Sequence, residues 1–138
     1  MEEGLKCEIK KFTLIFAIAA AIIYTAFALT PVPSEVGSLY YKYAGYMLDF
    51  QMPYSDFAAE YPPLAMLWIL IPGLFSFSEL TYQIAFGVEV YLFLLAGLVC
   101  VYRIAGTYIE EPKRLCDLYI VLCIVMFDFI IDRYDIFP

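Results

Sequence analysis

Residues 82–102 read YQIAFGVEVYLFLLAGLVCVY, an apolar run interrupted by a single charge, Glu89. As a helix at 1.5 Å per residue it is about 31 Å long, the thickness of a bilayer's hydrocarbon core. The stretch therefore reads as a membrane span, and two others resemble it. Phe12 to Thr30 carries no charge at all, and Leu115 to Ile131 carries only Asp117 near one end and Asp128 near the other. The sequence predicts an all-α membrane protein. Its three transmembrane helices, about 12–30, 82–102 and 115–131, are joined in part by a long outer loop, 31–81, that carries amphipathic or interfacial helices. Residues 1–138 make a single membrane domain.

The composition agrees. Hydrophobic residues make up 64% and charged residues 17%, against roughly 45–50% and 25% in ordinary soluble domains. The formal net charge of −7 and the eight Lys and Arg residues, none in a long basic run, argue against nucleic acid as a partner. The chain has neither His nor Asn, which excludes imidazole acid–base chemistry, His ligation of metals and Asn-linked glycosylation. Carboxylates must carry any proton transfer. Cys7, Cys100, Cys116 and Cys123 form no C-x-x-C pair and read as inert thiols.

Between the first two spans, Leu64 to Phe77 is apolar but short, and Pro72-Gly73 interrupts it. Charge decides its placement. If it stays at the interface, the Lys6/Lys10/Lys11 cluster and the Arg103/Lys113/Arg114 cluster share one side, as the positive-inside rule requires. The N-terminus is then cytoplasmic, residues 31–81 lie outside, 103–114 inside and 132–138 outside, in the cell membrane. A cleaved signal peptide, with Ala26-Phe27-Ala28 as its cleavage site, is the alternative for the first span.

The outer loop holds Glu35, Asp49, Asp56, Glu60 and Glu79 against one cation, Lys42. Leu39, Tyr43, Tyr46 with Met47, and Phe50 recur at helical spacing, which predicts an amphipathic helix lying on the membrane with its tyrosines at headgroup depth. Pro53 sets a bend, Tyr54-Ser55-Asp56-Phe57 a turn, and Pro62-Pro63 starts the next helix, with Glu60 just ahead of its N-terminus. Glu89, Asp128 and Asp132 lie toward the loop's side of the membrane, where charge is costly unless it faces a polar cavity. Asp132-Arg133-Tyr134-Asp135 follows where the chain leaves the bilayer. Arg133 suits a phosphate, whose oxygens its fork of donors matches; a salt bridge to Asp132 or Asp135 is the plainer reading, and a divalent metal ion among the acids a third. Asp117 reads as an interfacial pair with Arg114.

The runs Leu39-Tyr40-Tyr41-Lys42-Tyr43-Ala44, Met52-Pro53-Tyr54-Ser55-Asp56-Phe57 and Glu60-Tyr61-Pro62-Pro63-Leu64, with Asp132 to Pro138, resemble polytopic GT-C glycosyltransferases. The nearest likeness is to family 87, the polyprenol-phosphate-mannose-dependent mannosyltransferases. The resemblance implies an enzyme that takes a sugar, mannose in that family, from a polyprenyl-phosphate carrier and transfers it to an acceptor on the outer face. It implies a catalytic carboxylate early in the loop, where this chain has Glu35; either Glu35 substitutes or catalysis is impaired. Asp56 and Asp49 are the next candidates. Glu60, Tyr54, Tyr61, Asp132, Arg133 and Asp135 are the substrate-binding candidates. Such enzymes are several times longer, so the chain reads as an N-terminal portion, inactive alone and completed by further membrane helices. The alternative is a non-catalytic membrane subunit or degenerate remnant that packs against a partner membrane protein.

Overall fold

A computed structural model describes residues 2–29 and 34–132. The order of elements is α1 (Glu2–Leu29), a π-helical turn (Val36–Tyr40), α2 (Tyr41–Leu48), α3 (Pro63–Gly73), α4 (Glu79–Tyr108), α5 (Pro112–Val125) and α6 (Phe127–Asp132). The fold is all-α, and the described residues contain no strand.

Among the described residues two helices, not the three expected, are long and apolar enough by themselves to cross a membrane: α1, over Glu2–Ala26, and α4. The third expected span, Leu115 to Ile131, is divided. Pro112 occupies the first turn of α5, where its missing N–H costs nothing, so the helix begins before the apolar run does. It then ends at Met126, whose φ of −95° and ψ of 7° leave the helical well, after 14 residues. The i→i−4 ladder is nonetheless kept on both sides, since the Met126 amide donates to Leu122 O and the Ile130 amide to Met126 O, each at 3.0 Å. The interruption is a local bend.

Helix α4 begins earlier than hydropathy suggests. Ser78 caps it, its hydroxyl accepting from the Thr81 amide at 3.3 Å while Thr81 Oγ1 accepts from the Ser78 amide at 2.8 Å. Helix α1 runs antiparallel to α4. The Tyr24 hydroxyl donates to Gln83 O at 2.7 Å, the Thr13 and Tyr91 hydroxyls meet at 2.8 Å, and Gly4 lies against the Tyr102 hydroxyl and near Lys113 Cε. Helix α5 returns along α4, with the Tyr119 hydroxyl donating to Leu94 O at 2.9 Å. Both basic clusters therefore lie at one end of the bundle, and residues 34–78 lie at the other.

At the basic end, Lys11 bridges two helices. It pairs with Glu8 at 2.7 Å on its own helix and with Asp117 on α5. The sequence expectation for Asp117 is thus corrected: Arg114 turns back to Glu111, three residues away, at 2.7 Å, and Asp117 takes its cation from α1. Around this clamp, Phe12 stacks on Tyr91 with centroids 5.9 Å apart, and Phe16 meets Phe127 edge-on at 5.1 Å.

The amphipathic stripe expected on the membrane surface also differs. The π-helical turn precedes α2, and Phe50 falls past its end at a positive φ of 61°. Tyr43 and Ala44 are buried and Met47 packs against the core, so α2 turns its apolar side into the protein and onto α3. The seam is tight: a Cβ at Gly73 of α3 would stand 2.8 Å from Ala44 Cβ. Helix α3 is an apolar helix of 11 residues, about 16 Å long and too short to cross a bilayer. It packs on α4, the Tyr82 hydroxyl donating to Ile69 O at 2.6 Å and Trp68 meeting Phe93 edge-on at 4.7 Å.

Candidate functional site

The segment opposite the basic end folds as a lobe built around tyrosines. Ser34 is buried and starts it, accepting from the Gly37 amide through its hydroxyl at 3.3 Å and from the Ser38 hydroxyl through its carbonyl at 2.8 Å. Gly37 lets the side-chain ends of Gln83 and Glu79 come close where the π-helical turn meets the start of α4; a Cβ there would push both aside. Tyr40, fully buried, stands edge-on to Tyr61 at 5.5 Å and leans on Phe86 at 5.9 Å. Tyr43 packs on Phe57 at 5.4 Å and on Tyr61 at 6.4 Å; Tyr46 also meets Phe57, at 5.1 Å. Phe57 and Tyr61 thus fasten the loop 49–62 onto α2.

The loop is held by a five-residue turn. The Met52 amide donates to Asp56 Oδ2 at 2.7 Å, the Asp56 amide donates back to Met52 O at 2.9 Å, and the Tyr54 amide donates to Phe57 O at 2.9 Å. Tyr54 takes a positive φ of 67°, a conformation that costs of order 1–3 kcal/mol in a bulky residue and persists only where its surroundings impose it. Its hydroxyl donates to Tyr61 O, which supplies that constraint. Phe50, the other such residue, is 95% exposed, so no packing of its ring offsets the strain.

The candidate carboxylates occupy different parts of this lobe. Glu35 is the residue ahead of the π-helical turn and is half-buried. Asp49 ends α2, its amide donating to Gly45 O at 3.0 Å with its side chain exposed. Asp56 is committed to the turn. Glu60 is exposed, and its charge adds to burial in pushing the Tyr43 phenol above its ordinary pKa. Of the expected binding residues, Tyr54 and Tyr61 are brought together. Asp132 closes α6, its side chain lying outside the described residues, as do Arg133 and Asp135. Among the described residues no three Cys, Asp or Glu side chains converge as a metal would need; Asp132 and Asp135, among the acids considered above for a divalent ion, have side chains outside those residues.

Two further features stand out, one of them the charge that the sequence places inside the second span. Glu89 on α4 is 8% exposed, and neither of its carboxylate oxygens has a hydrogen-bond partner among the described residues. Two turns of helix separate it from Tyr82, which places it on the side of α4 that meets α3. The second feature is a groove of about 310 Å³ between α2 and the end of α3, lined by Tyr41, Lys42, Tyr46, Asp49 and Ser76 among others. Its sequence signal is slight: Lys42 is the one basic residue between 31 and 81.

Fold and site together define an all-helical chain with two long apolar helices and an acidic, tyrosine-packed lobe at one end. No family model, no curated protein and no solved structure matches it.

Proposed function

We propose that the chain is the membrane-embedded N-terminal part of a glycosyltransferase. It moves a sugar, mannose by the resemblance, from a polyprenyl-phosphate carrier to an acceptor on the outer face of the cell membrane. The observation that carries this reading is the lobe, which presents Asp49, Asp56 and Glu60 at the end of the bundle opposite both basic clusters.

A lipid setting is supported by the bundle's surface. Leu14, Ile18 and Ile22 on α1, and Ile84, Val88 and Leu92 on α4, form rows at four-residue spacing, each residue about half exposed or more. Only 6% of the apolar window of α1 is buried, unlike the mostly buried core helix of a soluble protein, which supports a lipid setting for it. In water such rows are a liability, whereas in hydrocarbon they cost nothing. In this setting α5 and α6, nearly continuous through Met126, make the third crossing together.

Transfer from a lipid phosphate breaks the bond between the anomeric carbon and the phosphate oxygen and forms one to the acceptor oxygen. The acceptor's proton goes to a carboxylate and the carrier leaves as its phosphate. Negative charge grows on that phosphate, so a cation near it lowers the barrier. Glu35 is the first candidate for the base, as the half-buried carboxylate where the lobe begins; Asp49 is open to an acceptor. Asp56 serves the fold of the turn, so its loss acts through geometry. In membranes from cells carrying the gene in its natural context, labelled sugar supplied on polyprenyl phosphate is expected to be transferred. Glu35→Gln is expected to lower the rate on the order of 100-fold or more. Full activity in Glu35→Gln, Asp49→Asn and Asp56→Asn alike would remove the lobe from catalysis.

The non-catalytic alternative draws on the same uncovered α1, whose exposed row offers a partner membrane protein a face to pack on. Absence of transfer, with a second protein co-purifying through α1, would favour it.

A further inference from the structure

We propose that α3 is a re-entrant half-helix: its outer row, Leu64, Leu67, Ile71 and Leu74, lies against the hydrocarbon of the outer leaflet, and its N-terminus at Pro63 points toward the membrane's midplane. This rests on the lipid setting of the reading above and is independent of sugar transfer.

The hairpin fixes where α3 stands. Five residues, 74–78, join it to α4, and the Leu74, Phe75 and Ser76 amides donate back to Ile71 O, Pro72 O and Gly73 O at 3.2, 3.1 and 3.3 Å. The chain turns back at once and the two helices run antiparallel. Two contacts set their register. The Tyr82 hydroxyl reaches Ile69 O at 2.6 Å, and further along α4 the Phe93 ring meets Trp68 at 4.7 Å. Pro63 lies about 9 Å further from the turn than Ile69, and Glu89 about 10 Å further than Tyr82. The first turn of α3 therefore comes to the depth of Glu89. The loop descends with it, because Tyr40 touches both Tyr61 and Phe86, one turn of α4 beyond Tyr82.

The charges set the depth of the pair. Arg103 is the first charge after Glu89 on α4, and about 30 Å measured outward from it, about 20 residues of helix, ends near Gln83. The Lys11 clamp gives a second bound. Thr13 Oγ1 meets Tyr91 Oη at 2.8 Å, which brings Lys11 and its partner Asp117 near the depth of Tyr91, and about 30 Å outward from there passes the start of α4. On either bound the first half of α3 falls inside the hydrocarbon. Lifting it into water would draw these charges into the membrane instead.

The faces of α3 fit that depth. Ala65, Met66, Pro72 and Gly73 fall within about 60° of Ile69 around the helix, and all are buried. Leu64, Leu67, Ile71 and Leu74 fall about 140–220° from Ile69, turned away from α4, and are 57%, 56%, 38% and 59% exposed. In water this row is an apolar stripe without cover, whereas acyl chains need none. The same packing accounts for Glu89, which is 8% exposed with no hydrogen-bond partner among the described residues: α3 stands between its carboxylate and the lipid.

Trp68 is the chain's single tryptophan and belongs to α3, so its fluorescence reads the depth directly. The purified chain is placed in phosphatidylcholine vesicles containing either lipid brominated midway along its acyl chains or lipid with a nitroxide on its headgroup, and is separately exposed to aqueous iodide. Mid-chain bromine is expected to remove about half or more of the emission, about twice the effect of the headgroup nitroxide, with iodide nearly without effect. Leu67→Trp in a Trp68→Phe background puts the probe on the row itself and should respond alike; Leu92→Trp in that background reports α4. Stronger quenching of Trp68 and Leu67→Trp by the headgroup nitroxide would lay α3 along the surface, and by iodide would put it in water. Either result overturns the half-helix, while Leu92→Trp quenched by bromine would keep the membrane reading. Iodide quenching of all three would sink the lipid setting as well. Absence of sugar transfer in native membranes, with Trp68 quenched by mid-chain bromine, would sink the transferase reading and leave the half-helix standing.

Discussion

Replacing Lys11 by Met should cost far more stability than neutralising its partner Asp117. The three charges of the clamp are unequally placed: the side chains of Glu8, Lys11 and Asp117 are 6%, 39% and 57% exposed. Asp117 is largely solvated, and losing an exposed ion pair is worth about 0–1 kcal/mol, so Asp117→Asn should fall in that range. Lys11→Met instead strands the Glu8 carboxylate in the protein. Stranding a buried charge costs about 3–5 kcal/mol; because Lys11 is more than a third exposed and water reaches the site, the lower half of that range, about 3 kcal/mol, is expected. Adding Glu8→Gln removes the stranded charge and should restore more than half of the loss. The measurement is unfolding of the purified chain in mixed micelles of mild detergent and dodecyl sulfate, followed by helical circular dichroism. The reasoning fails if Lys11→Met is no worse than Asp117→Asn, or if Lys11→Met/Glu8→Gln is no better than Lys11→Met alone.

Tyr82→Phe should lose about 1 kcal/mol by leaving Ile69 O without its buried donor, and the same unfolding assay reads it. The lobe should loosen at alkaline pH: the Tyr43 phenol is held above its ordinary value of 10.0 by burial first and the Glu60 charge second, so its contribution is complete below about pH 10 and fades as pH rises through the folded value. Limited proteolysis across pH 8–11 should show earlier cleavage within 49–62 as pH passes 10 in the wild type, and a smaller pH effect in Tyr43→Phe. An identical alkaline onset in both would contradict this.

The two long helices are legible from their apolar runs, because a bilayer-length stretch without charge has few other uses. Hydropathy could not show the break at Met126. It averages side chains, whereas the interruption is a backbone event in a run that stays apolar on both sides. The stripe Leu39–Tyr43–Met47–Phe50 was misleading for a related reason, since periodicity assumes one unbroken helix and cannot see a π-helical turn before it or a left-handed residue after it. Arg114 and Asp117 are neighbours at helical spacing, but Glu111 lies equally near on the other side, and Lys11 reaches Asp117 from 106 residues away. The turn at Pro53 to Phe57 and the helix start at Pro63 were legible, because proline and Asx chemistry act locally. The Lys42 groove was not, because it exists only where α2 meets α3.

The claim most central to this account is that the lobe and the α4–α5 connection face opposite sides of a membrane. It is tested by thiol labelling of right-side-out vesicles after replacing Cys7, Cys100, Cys116 and Cys123. Single cysteines are then placed at Ser55 and Thr107, both exposed. An impermeant maleimide is expected to label Ser55→Cys directly and Thr107→Cys only after permeabilisation. Direct labelling of Thr107→Cys, alone or together with Ser55→Cys, would contradict the account.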